Sequence, residues 1–344
     1  STRPDARYEE LIAFTGGLGR ESLDPLLVHR VHWWAARNLF GWACGPHRGG
    51  PDLEAAARPT SADAARAIDG RDTLVWVSTT CALCHSTVNN SFAPGIGSRL
   101  DGWPNSDLNP GAILALSPAL SDAQKAVYNS WGPGRYDPRF NFDGVNGPVV
   151  IPPAYGLLGV NSITYTGDGA DIAYWNRYVG VTQMHGHGTC TDSRTGVAIQ
   201  NPPDQIASKL EALQAYQLSL ESPAPPAGSF DAAAAQRGRA VFQGVGRCAT
   251  CHEGTLLTDA NTRLHDPAEV VSEPEPNGVQ SFASRSATGK YRTTPLRGLL
   301  RHPPYFHNGI AATLDAVVEL YDTRKGLNLT AQQKADLVEY LKSR

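Results

Sequence analysis

Apolar positions keep helical spacing in a few separate stretches of this chain and lose it between them. Leu26, Leu27, Val28, Val31, Trp33, Trp34, Leu39, Phe40 and Trp42 follow a helical pattern that ends over residues 41–46, which predicts an aromatic-rich N-terminal extension. A short helix is expected over 63–68, and the apolar stretch 73–77 leads into Thr80-Cys81-Ala82-Leu83-Cys84-His85. From 89 to 153 the pattern dissolves into Gly, Pro, Asn and Asp, with one helix expected over 121–130. Residues 204–220 read as an amphipathic helix with Ile206, Leu210, Leu213, Tyr216 and Leu220 on one face. Ser222-Pro223-Ala224-Pro225-Pro226-Ala227-Gly228 has nothing to bury and reads as a linker. Beyond it, residues 230–242 form an Ala-rich helical stretch, and 330–342 form a last helix opened by Thr330 and Gln333, a capping-box pair.

Composition agrees with helices set among long ordered loops. Charged residues make up only 18% of the chain, while Gly (34) and Pro (25) are abundant. The net charge of -3 gives no basic footprint for nucleic acid, and no apolar run reaches the length of a membrane span. Neither nucleic acid nor a bilayer core is an expected partner.

The chemistry lies in a repeat: Cys81-Ala82-Leu83-Cys84-His85 is matched by Cys248-Ala249-Thr250-Cys251-His252. Cysteines at i and i+3 lie about one helical turn apart, so both sulfurs reach the vinyl groups of one haem edge, and the adjacent histidine meets the iron. Two covalently attached c-type haems are therefore expected, bound through Cys81 and Cys84 and through Cys248 and Cys251, with His85 and His252 as iron ligands. A zinc knuckle or a redox dithiol is the alternative for each motif. The fold expected is mainly α with long loops: two cytochrome c-type haem domains in tandem over 1–221 and 229–344, the first enlarged by the N-terminal extension and by loop insertions. Covalent haem attachment in bacteria takes place outside the cytoplasm. The chain is therefore expected to be periplasmic, an exported and processed form, since no basic-then-apolar segment opens it. In that oxidising compartment Cys44 and Cys190 form a disulfide or remain two buried thiols.

Thr294-Pro295-Leu296-Arg297-Gly298-Leu299, then Pro304-Tyr305-Phe306-His307-Asn308-Gly309 and Ala312-Thr313-Leu314-Asp315-Ala316-Val317-Val318, resemble the second haem domain of the bacterial dihaem cytochrome c peroxidase superfamily. That superfamily includes MauG-type enzymes and, more distantly, dihaem rubber oxygenases. The resemblance covers roughly residues 230–344 and is looser in the first half. It implies that the His85 haem meets the oxidant while the His252 haem relays electrons. It also implies a distal ligand fourteen residues after His307, where the peroxidases carry methionine and this chain carries Tyr321, as MauG-type proteins do. The alternative for Tyr321 is a tyrosine packed on a helix.

The first half departs from the peroxidase pattern. Its counterpart of a Gly-His-Gly-Trp-like stretch is Leu100-Asp101-Gly102-Trp103, without histidine, and no glutamate occurs between Ala55 and Leu210. The acid–base candidates are Asp168 and Asp171, and His185 and His187 in a Gly-rich turn that either approaches the reactive haem or lies at the surface. Trp103, Trp131 and Trp175 are candidates for assisting electron transfer or are plain core. His29, His32 and His47 are further distal-ligand candidates, and Met184, the only methionine, is the sole source of thioether ligation. The activity so implied is an oxidoreductase that activates hydrogen peroxide with electrons from a small donor protein. An oxygenase or MauG-like oxidase using dioxygen or peroxide on an organic or protein substrate is one alternative, and a pure electron-transfer cytochrome is another. A structural calcium is implied by the family, though no oxygen-ligand motif in the chain shows it.

Overall fold

The structure, a computed structural model, describes residues 68–69, 73–74 and 81–344 except Ala170, His185, Arg194 and Thr195. The expected N-terminal helix, the 63–68 helix up to Ile68, His29, His32, His47, Cys44 of the cysteine pair, and His185 lie outside the described residues. The chain divides into two compact units, Ser1–Tyr136 and Asp137–Arg344.

In the first unit, β1 (Ile68–Asp69) pairs antiparallel with β2 (Thr73–Leu74). The first C-x-x-C-H motif opens as a 3-10 turn over Cys81–Leu83 and runs into β3 (Ser86–Val88), which pairs antiparallel with β4 (Arg99–Asp101). Two helices follow. α1 (Pro110–Ala115), hidden from a reading by periodicity, is set by Pro110 at its first position and by Asn109, whose side chain accepts from Ala112 N at 3.0 Å. The expected helix appears as α2 (Asp122–Ser130), with Ser121 and Gln124 forming a capping box. It packs on α1 through Tyr128 and Trp131, whose rings meet edge to face at 4.9 Å.

The second unit contains α3 (Phe140–Asp143), α4 (Ile172–Thr182), the hairpin β5 (Thr189–Asp192) and β6 (Val197–Gln200), and then α5 (Ala207–Ser219), α6 (Ala232–Gln243), α7 (Leu314–Lys325) and α8 (Ala331–Lys342). The periodicity predicted neither α4 nor the hairpin. Asp171, an acid–base candidate, caps α4 by accepting from Tyr174 N at 3.1 Å. α5 keeps Leu210 and Leu213 half-buried as expected, but Tyr216 is exposed and Gln217 is buried instead, in a side-chain amide pair with Asn176 at 2.7 Å. Leu210, Leu213 and Gln217 are spaced to follow one side of the helix, and Tyr216 flanks that side.

The core of the C-terminal half gathers Val241, Phe242, Leu299, Leu314, Val318, Leu337, Val338, Tyr340 and Leu341. α6 crosses α8 at Gly238, where an added Cβ would lie 1.9 Å from the Asp336 carbonyl oxygen, so only glycine lets the two backbones approach this closely. Asp336 and Arg237 clasp the same crossing by a two-pronged ion pair at 2.9 and 2.6 Å. The loops 137–170 are tied into this half. Arg285 bonds Asp137 and Asp143, Val150 N donates to the His307 carbonyl at 2.8 Å, Arg292 N donates to the Tyr165 carbonyl at 2.9 Å, and Asn261 bonds Gly159 and Asn161. The Pro-rich stretch 222–228 therefore lies inside the second unit.

Candidate functional site

Both motifs fold into the same local shape. His85 N donates to the Cys81 carbonyl at 3.0 Å, and His252 N donates to the Cys248 carbonyl at 3.0 Å. Each turn thus places two sulfurs and an imidazole within one short stretch. Burial raises the Cys81 and Cys84 thiols, the latter to about 12, and pushes Cys248 up to about 11.

The second motif sits beneath the α6–α8 core, with Phe242 6.3 Å from the His252 ring. The carbonyl of Leu257, a residue with φ of 52°, accepts from His252 Nδ1 at 3.1 Å. A carbonyl only accepts, so Nδ1 carries the proton and Nε2 keeps the free lone pair that a metal requires. Burial, outweighing the Leu257 bond, lowers the His252 pKa from 6.5 to about 4 and keeps the ring neutral. Tyr321 lies on α7 with its ring 5.9 Å from Phe306. Burial, and then the charge of the Cys248 and Cys251 sulfurs, pushes its phenol well above the ordinary range. Cys248 and Phe306 both pack against the C-terminal core. His302, just after the 3-10 turn Leu299–Arg301, has a buried Nε2 without a hydrogen-bond partner among the described residues.

In the first unit the β3–β4 ladder joins the first motif to Leu100-Asp101-Gly102-Trp103. Ser86 pairs with Asp101, and Gly102 N donates to the His85 carbonyl at 2.9 Å, with Trp103 next in the chain. Asn105 gave no signal in the sequence, yet it fastens the turn: its N donates to the Cys84 carbonyl at 2.9 Å and its side chain to the Leu83 carbonyl at 3.1 Å. Trp131 is core, between Tyr128 and Tyr136.

The remaining candidates lie in the second unit. Asp168 is buried against Arg139, accepts from Thr166 Oγ1 at 2.7 Å and from Ala287 N at 2.6 Å, and so has both carboxylate oxygens engaged. His187 donates from Nδ1 to the Pro202 carbonyl at 3.2 Å, which leaves Nε2 as the atom for a base or a ligand. Met184 is half-buried in the same turn. Trp175 stacks on Tyr178 at 5.0 Å. His187 and Asp168 thus occupy different surroundings.

No protein-family model matches the chain. Among characterised proteins it is 31% identical to the cytochrome-c peroxidase IdrP1 of Denitromonas iodatirespirans, over 32% of this chain and 40% of that protein. It is 30% identical to the methylamine utilization protein MauG of Methylorubrum extorquens, over 32% of this chain and 34% of MauG. The chain thus spans 40% or less of the length of these two relatives. A solved MauG-like protein associated with microbial copper homeostasis superposes with a TM-score of 0.38 at 21% identity, covering 57% of this chain and 72% of that one. No helix among the described residues is long and apolar enough to cross a membrane.

Proposed function

This chain is a relative of the bacterial dihaem cytochrome c peroxidase and MauG superfamily, and from that premise we propose that it is a periplasmic dihaem oxidoreductase that activates hydrogen peroxide. The observation that carries the reading is the duplicated turn, in which each His N closes on its motif's first cysteine carbonyl at 3.0 Å. Cys81 and Cys84 attach one haem and Cys248 and Cys251 the other, with His85 and His252 as iron ligands. The residues around the second motif fit such a group: His252 offers Nε2 because Leu257 holds Nδ1–H. The desolvated Tyr321 phenol is placed to ionise only against a positive centre. When bound, haem iron would supply reversible one-electron chemistry and a site for oxidant activation.

The chain's own residues then have separable tasks. The Leu257 carbonyl orients the His252 ring, and Asn105 does the same for the turn that bears His85. Tyr321 would hold the iron of the second haem through its phenol oxygen, a hard donor that would favour higher oxidation states. Proton transfer falls to the 185–187 turn, where His187 keeps Nε2 available, rather than to Asp168, whose oxygens are engaged by Arg139, Thr166 and Ala287. Trp103 lies next to the His85 strand pair, in a position to assist electron transfer. The family's calcium finds no match in these clusters: both groups of three close metal-ligating side chains among the described residues include a histidine, whereas calcium takes oxygen ligands.

Stopped-flow mixing with hydrogen peroxide, with and without a reduced small cytochrome, tests the reading. A peroxidase shows fast spectral change and turnover of the donor; a protein inert to peroxide and to cyanide refutes the reading. Tyr321 favours a second reading, a MauG-like oxidase of an organic or protein substrate. In that case peroxide produces a long-lived oxidised species and donor cytochrome turns over slowly. Denaturing mass analysis should find two added haems per chain.

A further inference from the structure

We propose that Glu273, Glu275 and His307, with Tyr291 beside them, bind a first-row divalent cation of the zinc class at a site separate from both C-x-x-C-H turns. The donors come from three places in the chain: the Ser272-Glu273-Pro274-Glu275 loop, the Tyr291 bridge and the loop before α7. One ligand atom each from Glu273, Glu275 and His307 lie within 4.8 Å of one another. His307 is 4% exposed, with Phe282 stacked at 6.2 Å and Tyr165 edge-on at 6.2 Å. Its Nδ1 lies 3.4 Å from Ser272 Oγ, so Nε2 is the atom turned toward the carboxylates, at 2.5 Å from Glu275 Oε1 and 3.2 Å from the Tyr291 hydroxyl.

Hydrogen bonds from neighbouring side chains hold these donors in place. Asn308 Nδ2 holds Glu275 Oε2 at 2.9 Å and leaves Oε1 facing the imidazole. Ser281 Oγ and the Tyr291 hydroxyl each hold Glu273 Oε1 at 2.6 Å. Such outer hydrogen bonds fix ligand orientation and basicity. Charge balance gives an independent argument. Two half-buried carboxylates share this cluster, yet among the described residues no Lys or Arg side chain pairs with either. Arg324 reaches only the Glu273 backbone carbonyl, at 3.0 Å. Buried carboxylates without a cation are costly, and one imidazolium would leave a net negative charge. A divalent cation cancels it. Imidazole nitrogen beside carboxylate oxygen suits zinc or manganese and not calcium.

The test uses the purified, cofactor-loaded protein, stripped with a chelator, dialysed against zinc sulfate, passed through gel filtration and analysed for metals. The expected result is about one zinc retained per chain and a raised melting temperature in zinc over chelator. The Glu273→Gln/Glu275→Gln variant should bind at least about tenfold more weakly, with its visible spectrum unchanged. If that double variant does not fold, Tyr291→Phe and the single Glu275→Gln decide the matter by the same count. No zinc on the wild type, or equal zinc on wild type and variants, overturns the site and leaves a plain hydrogen-bond network.

Discussion

His252 carries the sharpest residue-scale expectation because its environment sets its protonation. Its pKa falls from 6.5 to about 4, so across that window, where an ordinary histidine takes up a proton, this ring stays neutral and able to ligate. NMR titration of the haem-free chain should therefore keep the His252 ring neutral down to about pH 4 and protonate it only below; protonation near pH 6.5 would contradict the geometry. Tyr321→Phe removes one oxygen and little packing. It should convert the relay iron from six-coordinate to five-coordinate or water-bound, and it should shorten any oxidised species formed with peroxide. An unchanged ferric spectrum would make Tyr321 a packing residue beside Phe306. Asp168→Asn distinguishes a structural from a catalytic carboxylate. Losing the only anion paired, among the described residues, with the buried Arg139 side chain should cost roughly 3–5 kcal/mol in denaturant unfolding. A catalytic acid would instead lower turnover with stability unchanged.

At the scale of elements, two helix starts were readable from sequence because caps are local. Ser121 with Gln124 and Thr330 with Gln333 both close their capping boxes, and Thr330→Ala should cost about 1 kcal/mol. Helix faces were less readable. The direction in which α5 turns is decided by its neighbour α4 through the Asn176–Gln217 pair, which no apolar period encodes. α1 and α4 escaped notice for a related reason: proline, asparagine and aspartate at their starts look like loop residues until the cap hydrogen bonds are seen. The α6–α8 crossing depends on Gly238 in the same non-local way. Gly238→Ala drives a methyl into the Asp336 carbonyl and should destabilise by about 1–3 kcal/mol or more, visible as a lower denaturation midpoint with an unchanged slope.

For the whole molecule, the ties between the loops 137–170 and the C-terminal half predict that cutting the chain at 222–228 will not separate the pieces. A protease site engineered at Ala227 should yield two fragments on a denaturing gel and one species in gel filtration; separation would show that the Arg285, Arg292 and Asn261 bonds hold the loops only weakly. Sequence by itself determined the duplicated cysteine and histidine turns, the helices at 122–130 and 331–342 and the haem-type chemistry expected of the turns, because a C-x-x-C-H turn and a cap are complete within a few residues. Only the tertiary structure decided which carbonyl holds His252 Nδ1, that Tyr321 packs on Phe306, that Asp168 is spent on Arg139, and that Glu273, Glu275, Tyr291 and His307 converge. Each of these relations joins residues separated by intervening loops, and a loop's path is set by where its backbone hydrogen bonds and buried charges find partners, not by a periodicity along the chain.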